Sequence, residues 1–107
     1  NDPSARSICD AIVTPSPGLL TFPIVQSKAA GGKVVTDEEA LSAMKTAWDY
    51  FKLTVEPGGA VALAASLKQE VIASHTGDKR KTVVAILSGG NCDQDIFAQA
   101  LAAPTLI

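Results

Sequence analysis

The chain has 107 residues, enough for one domain at most. An apolar share of 47% against 19% charged residues reads as soluble and globular rather than disordered. A net charge of −2 and a pI near 5.2 give no electrostatic footprint for nucleic acid or an anionic membrane, and no apolar run approaches the ~20 residues that span a bilayer.

Cys9 and Cys92 lie far apart with no Cys-x-x-Cys spacing. They are expected to be small buried thiols in a reducing, cytoplasmic compartment rather than a disulfide framework or a zinc site. No charged-then-apolar leader opens the chain, so no secretion signal is expected. A start at Asn1 rather than Met suggests a sequence that begins mid-protein.

Residues 1–23 are punctuated by Pro3, Pro15, Pro17 and Pro23, with Gly18 closing a Pro-Ser-Pro-Gly turn. Within them, Ser7-Ile8-Cys9-Asp10-Ala11-Ile12-Val13 is apolar apart from Ser7 and Asp10. Asp10 is either a cap for a turn or helix start, or a site carboxylate. A helix is expected over 18–30, with Leu19, Leu20, Phe22 and Ile24 as its apolar side and Pro23 confined to the first turn. Gly31-Gly32 ends it, and Lys33-Val34-Val35 is a short strand candidate.

Thr36-Asp37-Glu38-Glu39 is the clearest helix start: a Thr N-cap, a Glu three residues on as its capping-box partner, and acids at the positive helix end. Leu41, Met44, Trp48 and Phe51 follow at helical spacing and predict one core-facing stripe. Leu53-Thr54-Val55 is brief and extended. Pro57 pushes Glu56 out of the helical region and is itself well placed as a first helical residue. The helix that follows, 57–74, opens with Gly58-Gly59-Ala60-Val61-Ala62-Leu63-Ala64-Ala65, small and apolar all round, which predicts burial on every side. Two glycines at a helix start cost about 1 kcal/mol each relative to alanine. Close backbone approach, or N–H groups facing a ligand, would offset that cost. Glu56 just before them is a second carboxylate in apolar company, either a structural acceptor or a ligand-facing group.

Residues 74–81, with the lone His75, read as a charged surface loop. Thr82-Val83-Val84-Ala85-Ile86-Leu87 predicts a strand covered on both faces, as in a parallel sheet. It stops at Ser88-Gly89-Gly90-Asn91, and ligands in open α/β sheets sit just past such strand ends. Asn91 or Asp93 caps a last helix through Ile96, Phe97 and Leu101, ended by Pro104.

These elements do not close on themselves. Two or three short strands make at best a marginal sheet, and an all-round apolar helix needs more partners than the chain supplies. There is no Cys-His or Ser-His-Asp set and no metal cluster, and Ser88-Gly89-Gly90-Asn91 lacks the Gly-Lys-Ser/Thr ending of a phosphate P-loop. On this chemistry alone the chain is a fragment of an α/β protein with polar groups poised at one pocket.

Val55-Glu56-Pro57-Gly58-Gly59-Ala60-Val61-Ala62-Leu63-Ala64-Ala65, followed by Val83-Val84-Ala85-Ile86-Leu87-Ser88-Gly89-Gly90-Asn91-Cys92-Asp93, resembles the C-terminal third of the serine/threonine dehydratases. These are fold-type II enzymes using pyridoxal phosphate (PLP), a group that includes serine racemase. Ser7-Ile8-Cys9-Asp10-Ala11 is similar to the family's Thr-Ile-Ala-Asp-Gly segment, and Pro17-Gly18 through Thr21-Phe22-Pro23 and Val35-Thr36-Asp37-Glu38-Glu39 follow in the same order.

The resemblance implies a partial three-layer α/β fragment, helices around a few parallel strands, forming the C-terminal portion of a large PLP-binding catalytic domain over 1–107. Members run to roughly three times this length, as large α/β domains do. The Schiff-base lysine, the glycine-rich phosphate loop and the carboxylates of a divalent-cation site would lie upstream. No Ser-x-Lys-x-Arg motif surrounds any lysine here, so the chain alone is expected to bind cofactor poorly and to catalyse nothing.

What the resemblance carries over is the ring end of the cofactor site. Ser88 would hydrogen-bond the pyridine nitrogen, Gly89 and Gly90 would let backbone approach the ring, Glu56 would lie near that edge, and Asp10 near the substrate mouth. A hydroxyl can donate to an unprotonated nitrogen, whereas a carboxylate there would favour the pyridinium and a stronger electron sink. Ala11 stands where the family has glycine. The implied reaction of the parent enzyme is removal of water and ammonia from L-threonine or L-serine, giving 2-oxobutanoate or pyruvate, in a homo-oligomer. Alternatives are hydroxyaspartate elimination, a dehydratase step in hydroxyectoine breakdown, serine racemisation, or a non-enzymatic module that dimerises through the 41–51 stripe.

Overall fold

The computed structural model describes residues 3–75 and 82–107. A one-turn 3-10 helix at Asp10–Ile12 is followed by α1 (Thr21–Lys28), α2 (Asp37–Phe51), α3 (Pro57–Ser66), α4 (Gln69–His75) and α5 (Gln94–Ala102). The expected loop over 74–81 falls mostly on residues outside the described set.

α2 is the hub, packing on both α3 and α5. Its start follows the sequence signal: the Glu39 N–H donates to Thr36 Oγ1 at 3.2 Å while Glu39 Oε2 accepts from the Thr36 N–H at 2.9 Å. The core consists of Ala43, Met44 and Ala47 from α2, Val55, Ala60 and Ala64 around α3, and Ala100 from α5. Small residues let α2 and α3 approach closely. The expected stripe holds at Met44, but Phe51 at its end is 58% exposed. Trp48 turns instead to α5, edge-on to Phe97 at 5.6 Å. The C-terminal tail returns to α2, where the Leu106 N–H donates to the buried Thr46 hydroxyl at 3.0 Å.

α3 begins at Pro57 as expected, with Glu56 extended (ψ 160°) before it. It ends at Ser66, earlier than the predicted 57–74 helix. A turn at Leu67 and Lys68 separates it from α4. Pro57 to Ala60 are buried, and the rest of the helix is half-buried apart from the buried Ala64. α1 is shorter than predicted and has no buried residue; Leu19 and Leu20 just before it are 93% and 86% exposed. Among the described residues it packs on no other helix.

The expected strands need correction. Residues 33–35, 53–55 and 82–87 carry no sheet ladder, and no β-strand forms among the described residues. A strand's N–H and C=O groups need a neighbouring strand, and these lone segments have none to pair with. The coverage expected for 82–87 is missing too: Val84 is 81% and Ile86 73% exposed, and only Ala85 and Leu87 lean inward.

The surface is correspondingly large. The accessible area is 7744 Å², about 2,000 Å² above what a compact monomer of 11.0 kDa presents. The radius of gyration is 14.9 Å, against about 13 Å for a compact chain of this length. The molecule is a slab of 44 × 38 × 19 Å.

Candidate cofactor-ring site

Two segments meet to build the site. The first is the end of α2 and the start of α3. Lys52 adopts a left-handed conformation (φ 57°) and turns the chain, and the Leu53 N–H donates back to the Ala47 carbonyl at 3.2 Å. The chain then runs to Glu56, which Pro57 holds extended at the mouth of α3.

The second segment is the loop Ser88-Gly89-Gly90, seated against the first. The Glu56 N–H donates to the Gly89 carbonyl at 3.2 Å. Gly89 has φ +86°, a conformation that L side chains rarely adopt. A Cβ there would also lie 2.5 Å from Glu56 Oε1, so the Glu56 carboxylate rests directly over the Gly89 backbone. On Gly90 a Cβ would meet the Thr54 carbonyl oxygen at 2.9 Å, and on Gly59 it would meet the Ser88 carbonyl oxygen at 2.0 Å. Glycine is thus required on both sides of the junction. At Gly59 the cost of glycine in the α3 start is offset by backbone approach, one of the two reasons expected from the sequence; Gly58 has no such contact.

A polar cleft of about 500 Å³ lies beside this junction, lined by Asp10, Glu56, Asn91, Cys92 and Asp93 among others. It brings Asp10 and Glu56 together, two of the residues singled out from the sequence. Ser88 and Gly89 are not on its wall; Ser88 stands exposed at the junction, its hydroxyl without a hydrogen-bond partner among the described residues. Asp10 is also exposed, opening the 3-10 turn without capping it through its side chain. Ala11 lines the same cleft, and the space above Gly58 reaches its methyl at an ordinary 3.6 Å.

Asp10 is held in place by a residue whose role the sequence did not reveal. Asp37 accepts from the Ser7 hydroxyl at 2.6 Å and from the Ile8 N–H at 3.2 Å, and the Cys9 N–H donates to Ser7 Oγ at 3.0 Å. Asp37 therefore pins the segment that delivers Asp10 to the first turn of α2. Its place in that turn was legible as a helix-end acid, but nothing in the local sequence names a partner thirty residues away.

Both thiols are free. Burial raises the pKa of Cys92, and the carboxylates of Asp93 and Glu56 add to the effect. Burial likewise raises that of Cys9, against a lowering hydrogen bond with Ser7. Among the described residues no group of three or more His, Cys, Asp or Glu side chains could hold a metal ion, and no helix is long and apolar enough to cross a membrane.

The family model for pyridoxal-phosphate dependent enzymes matches residues 1–89, a span that takes in Asp10, Glu56, Ser88 and Gly89. This chain belongs to the pyridoxal-phosphate dependent enzymes. The family supports an α/β enzyme domain of fold type II. Among curated relatives, a serine racemase of Dictyostelium discoideum is 40% identical over 98 residues, covering 90% of this chain and 28% of its own length. The serine racemase of Mus musculus is 38% identical over 88 residues, 82% of this chain and 25% of that protein. An L-threonine ammonia-lyase of Geobacter sulfurreducens is 36% identical over 91 residues, 85% of this chain and 21% of its own length. The chain spans less than a third of each of these relatives.

The residues present fit the ring end of the family's cofactor. The Cβ positions missing at Gly59, Gly89 and Gly90 are taken by the molecule's own Ser88, Glu56 and Thr54 atoms, which closes the junction tightly and leaves the free Ser88 hydroxyl at its edge as the group that suits the ring. The fit is confined to that end, because no lysine motif or phosphate loop occurs in the sequence.

Proposed function

We propose that the chain is the C-terminal portion of the large domain of a PLP-dependent L-threonine/L-serine ammonia-lyase, and that it supplies the ring end of the cofactor site. The observation that carries this is the Ser88-Gly89-Gly90 loop seated on the Glu56 turn in a member of the PLP-dependent family. When bound, the cofactor provides the electron sink for bond breaking at the substrate α-carbon. Ser88 would donate a hydrogen bond to the ring nitrogen, Gly89 would let backbone lie against the ring, Glu56 would fix that edge, and Asp10 would stand near the substrate. The lysine, the phosphate loop and any divalent-cation ligands belong to the remainder of the catalytic domain, around which the three-layer α/β arrangement would be completed. The partners are then that remainder, a small amino-acid substrate and further copies in a homo-oligomer, and the free thiols suit a reducing cytoplasm.

Serine racemisation is the second reading, supported by relatives of that name at 32–40% identity. Both reactions begin with removal of the substrate α-proton, so the ring-end residues suit either. In the complete enzyme, Ser88→Ala should lower kcat about tenfold, the equivalent of one hydrogen bond, while the absorbance of the bound cofactor persists. Product analysis with L-serine, pyruvate against D-serine, separates the two reactions. Unchanged turnover by Ser88→Ala would remove the role given to Ser88, and PLP turnover by the purified 107-residue chain would overturn its assignment as one part of the site.

A further inference from the structure

Two adjacent glycines open α3, and their surroundings differ. A methyl on Gly58 would meet only the side chains of Ala11 and Ile12, at 3.6 Å, an ordinary contact. A methyl on Gly59 would lie 2.0 Å from the Ser88 carbonyl oxygen, 2.8 Å from its carbon and 2.9 Å from the Gly89 carbonyl oxygen. These are main-chain atoms, which cannot swing aside as the end of a flexible side chain does. Helix propensity favours alanine at both positions, so only the contact separates them.

We infer that Gly59 is a positioning residue for Ser88: its bare Cα is the seat on which the Ser88 carbonyl rests, and so it sets where the Ser88 hydroxyl stands. The loop is held from the other side as well. The Glu56 N–H grips the Gly89 carbonyl at 3.2 Å, and Gly90 abuts the Thr54 carbonyl oxygen. A methyl at position 59 pushes on Ser88 while its neighbours stay fixed, and the displacement is taken up at Ser88 itself. Gly59 touches neither substrate nor cofactor in this scheme.

The inference rests on the role proposed above for Ser88, and one set of variants of the complete enzyme separates the two. Gly59→Ala should lower kcat about tenfold with KM within about twofold, and shift the absorbance and emission of the bound cofactor, whereas Gly58→Ala should match the parent. Because Gly59 acts through Ser88, the double variant Gly59→Ala/Ser88→Ala should be no slower than Ser88→Ala alone. A purely structural role would make the two effects multiply, and that result would overturn the inference, as would parental kcat and spectra in Gly59→Ala. If Gly59→Ala does not fold, Gly90→Ala displaces the same loop more gently, meeting only the Thr54 carbonyl oxygen at 2.9 Å, and should show the same non-additive pattern at smaller size. Parental behaviour there also overturns the inference. An impaired Ser88→Ala beside a parental Gly59→Ala defeats the inference alone, while a fully active Ser88→Ala defeats the underlying reading.

Discussion

Glu39 joins three parts of the molecule through one side chain. It completes the capping box at Thr36 and accepts a charge-assisted hydrogen bond from Lys68, in the turn between α3 and α4. The Lys68 ammonium, followed by the Thr36 N–H, holds its carboxyl below the ordinary value of 4.5. A carboxylate depressed by folding contributes stability above its unfolded value and loses it as the pH falls through the folded one. Melting temperature should therefore hold near neutral pH and fall once the pH drops below about 4.5. In Glu39→Gln the whole of this residue's share of the acid-side slope should vanish, since the amide does not titrate. Circular dichroism melts across the acid range test this, and an unchanged slope in the variant would count against it. The pair lies at the surface and is only partly buried, so the effect is modest and should shrink in salt.

At the scale of elements, the acidic start of α2 does two jobs, of which the sequence disclosed one. The Thr36 cap, the Glu39 partner and the Pro57 start of α3 could all be read locally, because each signal lies within a few residues of its effect. The anchor from Asp37 to Ser7 and Ile8 could not, since it depends on where the chain returns in space. For the same reason Glu56 and Ser88-Gly89 were identifiable as suspicious residues, whereas the contact between Gly59 and Ser88 was not. The covering expected for 82–87 is missing for a different reason. That apolar run reports the covering it suits, and a covering layer is a property of the surroundings, not of the run itself. The Asp37 anchor has a measurable consequence. Cys9 is 6% exposed while Cys92 is half-buried, so a thiol reagent should label Cys92 first. Asp37→Ala removes the acceptor for Ser7 and Ile8 and should speed labelling of Cys9 several-fold, with Cys92 unaffected. An equal rate for Cys9 in both proteins would show that the anchor does not hold that segment.

At the scale of the whole molecule, the slab and its excess surface have one physical consequence. About 2,000 Å² beyond the area of a compact monomer is what a large, obligate interface buries. The core within the slab is mostly alanine around Met44, and each methyl-sized group contributes only about 0.8 kcal/mol. Several larger apolar side chains, among them Leu19, Leu20, Val84 and Ile86, are left in water. The isolated 107-residue chain should accordingly unfold over a broad range, bind a hydrophobic dye and self-associate in sedimentation, with 82–87 as an open template for pairing. Replacing Val84 and Ile86 by lysine should make that isolated chain more soluble, because both side chains project into solvent there. In the complete enzyme proposed above, the same pair of substitutions should have the opposite effect, costing folded yield, because the faces that are wet here would be buried there. A sharp, cooperative melt of a monomeric isolated chain, or a complete enzyme indifferent to the two lysines, would mean that the slab is self-sufficient and that nothing needs to cover 82–87.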